Sequence, residues 1–95
     1  MYAIAWSMAD EPIIEIPIED TLDLHTFAPR DVKALVEDYL TLAADKGLAE
    51  VRIIHGKGTG TLRRIVHGVL ERHPRVAGFT LAETWGATIA RLRQP

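Results

Sequence analysis

Two stretches of this chain repeat apolar residues every three to four positions, and each follows a short run of strand character. Val32, Leu35, Val36, Tyr39, Leu40 and Ala43 recur at helical spacing, with Lys33, Glu37 and Asp38 on the other side. Pro29 suits a first helical turn, Asp31 complements the helix dipole, and Gly47 is a stop, so a helix is expected over residues 29–46. Leu62, Ile65, Val66, Val69 and Leu70 form a second helical stripe that ends before Pro74. Leu22 to His25 precede the first helix. Val51, Ile53 and Ile54 precede the second and read as a buried strand. Residues 76–81 and 87–92 read as two further strands. The order is β-α-β-α-β-β, an α/β chain of the α+β two-layer kind, with both helices on one face of a sheet. The β-α-β links make the strands flanking the first helix parallel.

Ninety-five residues are enough for one domain and too few for two. Residues 1–12 show no clear period and read as a loose leader. Residues 13–95 read as the domain. Ile14, Ile16 and Ile18 alternate with Glu15, Pro17 and Glu19, which suggests an extra strand at the sheet edge, where proline is tolerated. There is no cysteine, which excludes disulfides, thiolate metal sites and cysteine nucleophiles and fits a cytoplasmic location. No apolar run reaches the ~18 residues of a membrane-spanning helix, so no membrane partner is expected. The only serine, Ser7, lies in the leader, which argues against a Ser-His-Asp hydrolase. The formal net charge is −2, so affinity for phosphate has to come from a local patch.

The most informative stretch is His55-Gly56-Lys57-Gly58-Thr59-Gly60, between a buried strand and a helix. Glycine lets an anion approach the backbone, and the helix that follows presents free N–H groups and a positive dipole end. With Lys57, Arg63 and Arg64 this forms a phosphate cradle through Gly56, Lys57, Gly58, Thr59 and Gly60. It has neither the Walker A nor the dinucleotide spacing. A tight strand-to-helix turn that needs glycine for geometry alone is the other reading. Asp23 and His25 end the strand before the first helix, two residues apart and on one face. Parallel neighbours ~4.8 Å apart would bring His25 and His55 to one sheet edge, where α/β sheets bind ligands. Two histidines and a carboxylate beside a phosphate can supply a general base, a general acid and an orienting group. Taken singly, His25 also fits a solvated loop residue and Asp23 a cap. His67 reads as a surface residue of the second helix, and His73 lies near its C-terminus, where a cation suits the dipole. No histidine pair has the helical H-x-x-x-H spacing, so no structural metal is expected. Trp85, before the last strand, suits either stacking on a base or packing over the sheet edge.

Taken together, Leu22-Asp23-Leu24-His25, Ile53-Ile54-His55-Gly56-Lys57-Gly58-Thr59-Gly60 and Gly86-Ala87-Thr88 resemble the small MutS-related (Smr) domain over roughly residues 19–93. Thr26 stands where that family often has glycine, and Glu83 and Thr84 stand in a third motif usually richer in glycine. The resemblance implies a two-layer sandwich like the C-terminal domain of translation initiation factor three, with the last strand of a mixed sheet antiparallel to the rest. It also implies nucleic acid as partner and nicking of DNA or cleavage of structured RNA. The family's motifs map to Asp23, His25 and His55 as catalytic residues, and to Gly56, Lys57, Gly58 and Gly60. With RNA the nucleophile can be the 2′-hydroxyl. With DNA it must be water, and Asp23 could then hold magnesium or manganese. A binding module that docks on nucleic acid or a ribosome without cutting, and a protein-interaction domain, are the competing readings. No segment of a MutS ATPase is present, so mismatch recognition is not expected of these residues.

Overall fold

A computed structural model of the chain describes residues 2–6, 12–17, 19–82 and 86–94, the first two segments as backbone. The strands are β1 (Tyr2–Trp6), β2 (Pro12–Pro17), β3 (Thr21–Asp23), β4 (Glu50–Ile54), β5 (Val76–Leu81) and β6 (Ala87–Leu92); the helices are α1 (Pro29–Asp45) and α2 (Thr61–Arg72). From β3 onward the order is the expected β-α-β-α-β-β.

Helix α1 begins with Pro29 in its first turn, followed by Asp31. It ends where Gly47, at φ +94°, lets the amides of Gly47 and Leu48 turn back onto the carbonyls of Ala44 and Ala43. A side chain would be strained there, which is why the helix stops at glycine. Val32, Leu35, Val36, Tyr39, Leu40, Ala43 and Ala44 are all fully buried. The Tyr39 hydroxyl donates to the carbonyl of Glu19 and so ties α1 to the approach to β3. Helix α2 buries Val66, Val69 and Leu70, with Leu62 and Ile65 half-buried beside them.

The four-stranded sheet has the order β3-β4-β6-β5. β3 pairs parallel with β4, in the register Leu22 to Ile53 and Asp23 to Ile54. β6 lies antiparallel between β4 and β5. The fold is thus a mixed α+β sandwich whose last strand runs against the others. The β4–α2–β5 crossover leaves one strand's width open, and β6 fills it by folding back from β5. Leu22, Val51, Ile53, Ala90 and Leu92 join the α1 and α2 stripes in one core, so both helices cover the same face. The alternate residues Thr21, Glu50, Arg52 and Arg91 are exposed on the opposite face. Ile54 follows that alternation and is only half-buried, where a fully buried position was expected.

The expected edge strand does not join this sheet. β2 instead pairs with β1 in a separate antiparallel hairpin, in the register Tyr2 to Pro17 and Ala3 to Ile16. Both prolines of β2 stand at its ends, where a missing N–H does least harm to a ladder. Residues 2–6, in which no period was legible, thus have strand backbone. The burial of Ile14, Ile16 and Ile18, the surroundings of Ser7 and the placement of Glu83, Thr84 and Trp85 lie outside the described residues. Among the described residues no helix is long and apolar enough to cross a membrane.

Candidate functional site

The ends of β3 and β4 and the start of β6 meet at one edge of the sheet, because β6 runs against its neighbours. The Leu24 amide continues the β3 ladder onto the Ile54 carbonyl, and the amides of His55 and Gly56 both donate to the carbonyl of Gly86. The three segments Leu22–His25, residues 55–60 and residues 86–88 are therefore stitched together at the backbone, and α2 starts from the same edge.

His25 sits in a turn closed by the Phe27 amide on the Leu24 carbonyl. Its side chain is 75% exposed, and its Nδ1 lies 2.8 Å from Oδ1 of Asp23. The His25 backbone amide donates to the same oxygen at 3.0 Å. That backbone bond first, and the ring second, hold the Asp23 carboxyl below the ordinary carboxylate range. An ionised Asp23 keeps the proton of neutral His25 on Nδ1 and leaves Nε2 as the acceptor. Among the described residues nothing bonds Nε2, which can therefore meet a substrate.

The glycine loop is exposed at Gly56, Lys57, Gly58 and Thr59. Gly56 and Gly60 take φ of +77° and +84°, left-handed values that glycine adopts without strain. Gly60 caps α2 with no side chain, and the first turn holds no acidic residue. The dipole end of α2 is thus left for an external anion, whereas Asp31 answers that of α1. Arg63 leans back over Gly60: a β-carbon added there would stand 3.2 Å from its guanidinium. Gly60, Arg63, Arg64, His67, Gly68 and Glu71 line a cleft of about 360 Å³ beside this loop. A larger groove of about 630 Å³ lies between the two helices and includes Lys33, Glu37, Thr41 and His73; it touches none of the three edge segments.

His55 reaches this edge too, but its ring turns inward. It continues the alternation of Val51 and Ile53 and is 6% exposed. Its Nδ1 lies 3.0 Å from the Gly56 carbonyl and its Nε2 2.9 Å from the Thr88 hydroxyl. The structure thus brings His25 and His55 to one edge as expected, but in different settings. Asp23 pairs with His25, and His55 pairs with Thr88.

Thr88 also bonds Nε2 of His67, at 2.7 Å. The His55 and His67 rings stand edge to face with centroids 6.0 Å apart, and His67 packs on Phe79 at 5.0 Å. His67 is therefore half-buried inside the site. It is not the surface residue its helix position suggested, because the flank of the α2 stripe faces β5 and β6. Sequence reasoning placed Thr88 in a motif without giving it a role and set His67 aside. The one available signal was that His67 lies one helical turn before the core residue Leu70. His73, by contrast, binds Thr41 and the Glu37 carbonyl at the far end of α2.

Burial, followed by His55 and Arg63, holds His67 below the ordinary histidine range. The unfolded chain takes up a proton at this position more readily than the folded chain does. Stability is then fully present above an unfolded histidine value of about 6.5 and falls as pH drops below it. Thermal unfolding at about pH 5.5 should show a lower Tm than at about pH 7.5, and His67→Gln should make that dependence shallower. Equal slopes in the two proteins would remove His67 as the cause.

Among the described residues no group of three or more His, Cys, Asp or Glu side chains stands together as a metal cage. Asp23, the carboxylate considered for magnesium or manganese, already has one oxygen held by His25.

Comparison with known proteins agrees with this fold. The profile of the Smr domain matches residues 22–93. The Endonuclease MutS2 of Clostridium tetani is 36% identical over 80 residues, covering 80% of this chain and 10% of that protein. The Endonuclease MutS2 of Agathobacter rectalis is 45% identical over 64 residues, covering 63% of this chain and 8% of that protein. The chain thus spans about a tenth of the length of the relatives it matches. Among solved structures, the Smr domain of Thermus thermophilus MutS2 superposes with a TM-score of 0.74 at 33% identity, covering 79% of this chain and 99% of that one. YdaL, a stand-alone small MutS-related protein from Escherichia coli, gives 0.75 at 26% identity, covering 82% and 67%. The matched residues 22–93 contain the Leu22–His25 segment, the glycine loop and the Gly86-Ala87-Thr88 segment, and this chain belongs to the Smr domain family.

Proposed function

We propose that this domain binds nucleic acid in the cytoplasm and nicks DNA or cuts structured RNA, with Asp23, His25 and His55 at the centre of the site. The observation that carries this reading is the Asp23–His25 pair, whose free Nε2 opens onto the same edge as the glycine loop. The relatives named endonucleases support it. The phosphate sits against the amides of residues 56–60 and the start of α2, with Lys57, Arg63 and Arg64 answering its charge. Nε2 of His25 takes the proton of the attacking oxygen, water on DNA or the 2′-hydroxyl on RNA, as that oxygen bonds to phosphorus. The bond to the leaving oxygen breaks, and that oxygen is protonated by Lys57 or solvent at the open edge. Asp23 holds the ring in the accepting tautomer and stabilises the imidazolium that forms. His55, buried behind the loop, supports it through its contact with the Gly56 carbonyl.

The test is incubation of the purified protein with supercoiled plasmid and with structured RNA, each with and without EDTA. Nicked circles or defined RNA fragments are expected, and a protein that binds both but cuts neither would replace this reading with a binding module. The phosphate contact has its own check. Lys57→Glu should weaken binding to all sequences alike and flatten the salt dependence by about one charge. An unchanged salt titration would remove Lys57 from the contact.

A further inference from the structure

His55, Thr88 and His67 share a single hydroxyl hydrogen, and its placement has only one solution while His55 is neutral. A carbonyl only accepts, so the contact between His55 Nδ1 and the Gly56 oxygen requires the proton on Nδ1. The Nε2 of a neutral His55 is then a bare acceptor, and the Thr88 hydroxyl must donate to it. Among the described residues, the only other partner of that hydroxyl is Nε2 of His67, which must therefore carry a proton and donate to the Thr88 oxygen. The chain of donors runs from His67 through Thr88 and His55 to the Gly56 carbonyl, at the left-handed residue that opens the glycine loop.

We infer that Thr88 and His67 are positioning residues: together they lock His55 as the neutral Nδ1–H tautomer, and His55 in turn holds the Gly56 carbonyl and so the shape of the anion-binding loop. This inference rests on the reading of that loop as the phosphate site. Protonating His55 at Nε2 would oblige Thr88 to turn its hydrogen toward His67, and His67 to move its own proton to Nδ1. Protonating both rings toward Thr88 would leave the hydroxyl hydrogen without an acceptor and set two cations edge to face. Among the described residues, the charged groups that act on His67 are Arg63 and Glu71 on its own helix and His55 just after β4, while β5 presents Phe79 and β6 presents Thr88. Burial and Arg63 both favour the neutral ring that the relay uses.

The test is a long-range proton–nitrogen correlation spectrum of the histidine rings in the uniformly labelled chain, free of nucleic acid. At neutral pH His55 should show a protonated Nδ1 and a bare Nε2, and His67 a protonated Nε2. Thr88→Val, which removes the hydroxyl at nearly constant volume, should abolish the single-tautomer pattern of His55 and shift the amide signals of Gly56, Gly58 and Gly60. Thr88→Ser should restore both, a rescue that packing alone would not produce in the ring nitrogens. A wild-type His55 protonated at Nε2 overturns the relay, as does an unchanged His55 pattern in folded Thr88→Val. If Thr88→Val does not fold, the wild-type spectrum decides by itself. Because the spectrum needs no substrate, a locked His55 in a protein that fails to bind nucleic acid would overturn the phosphate reading alone.

Discussion

Replacement of His25 by alanine should lower cleavage by roughly 10²–10⁴-fold, the usual contribution of a positioned general acid or base. His25 supplies the exposed acceptor nitrogen at the sheet edge, and Asp23 fixes which nitrogen that is. Asp23→Asn should therefore also slow the reaction, and the double variant should lose less than the two single losses combined, because the pair acts as a unit. Neither change touches the glycine loop, so the affinity for a fixed oligonucleotide should stay within about twofold, inside the spread of neutral surface changes. His55→Ala should differ in kind. It removes the donor to Gly56 and should weaken both binding and turnover, where His25→Ala affects turnover alone. His67→Ala should not be silent, because His67 shares Thr88 with His55. His73→Ala is the control: α2 has 12 residues and places His73 about 18 Å along the helix from the loop. A folded His25→Ala protein that cuts at the wild-type rate would take the chemistry away from this pair.

The second large effect is on stability. Leu35→Ala should cost about 2–5 kcal/mol, because Leu35 is fully buried where α1 meets the sheet and a truncated side chain there leaves a cavity. A domain of this size has about 5–15 kcal/mol in total, so the variant should lie near the edge of folding. Urea unfolding should show an earlier midpoint with little change in slope, and Tm should fall by about ten degrees or more. Glu37→Ala, two positions on and exposed on the opposite face of the same helix, should change stability by no more than about 0.5 kcal/mol. A loss below about 1 kcal/mol at Leu35 would mean that α1 is not anchored by this stripe.

The comparison of these two sites shows which information is local. Every apolar position assigned to α1 is buried as its spacing required, since a helix repeats faces within four residues and needs no distant partner to be read. Pro29, Gly47 and Gly60 mark helix ends through backbone chemistry that is equally local. The shared edge of Leu22–His25 and residues 55–60 was legible as well, because right-handed β-α-β links leave few ways to arrange the two strands. Asp23 and His25 were read as two residues of one strand, but β3 ends at Asp23 and their pairing is made by the turn that follows, which folds the His25 amide and ring back onto the Asp23 carboxylate.

Other features depended on contacts between distant residues. β6 entered the sheet between β4 and β5 because the crossover over α2 left a slot there, and no pattern within residues 87–92 names its neighbours. β2 carried a clear alternation, yet paired with β1 in a separate hairpin, since alternation identifies a strand without saying which ladder it completes. His67 looked like a surface residue and became part of the site when its helix face met Thr88 and Phe79, 21 and 12 positions away in the chain. His55 was placed at the right edge by its motif, but the direction of its ring was settled by Thr88, 33 positions on. By itself the sequence determined the elements from β3 onward, the helix ends and the motifs that share an edge, because these follow from spacing within a turn or a strand, whereas β1 carried no legible period. Only the tertiary structure decided strand neighbours and the partners of each histidine, because a hydrogen bond depends on where two side chains end up and not on how far apart they are in the chain.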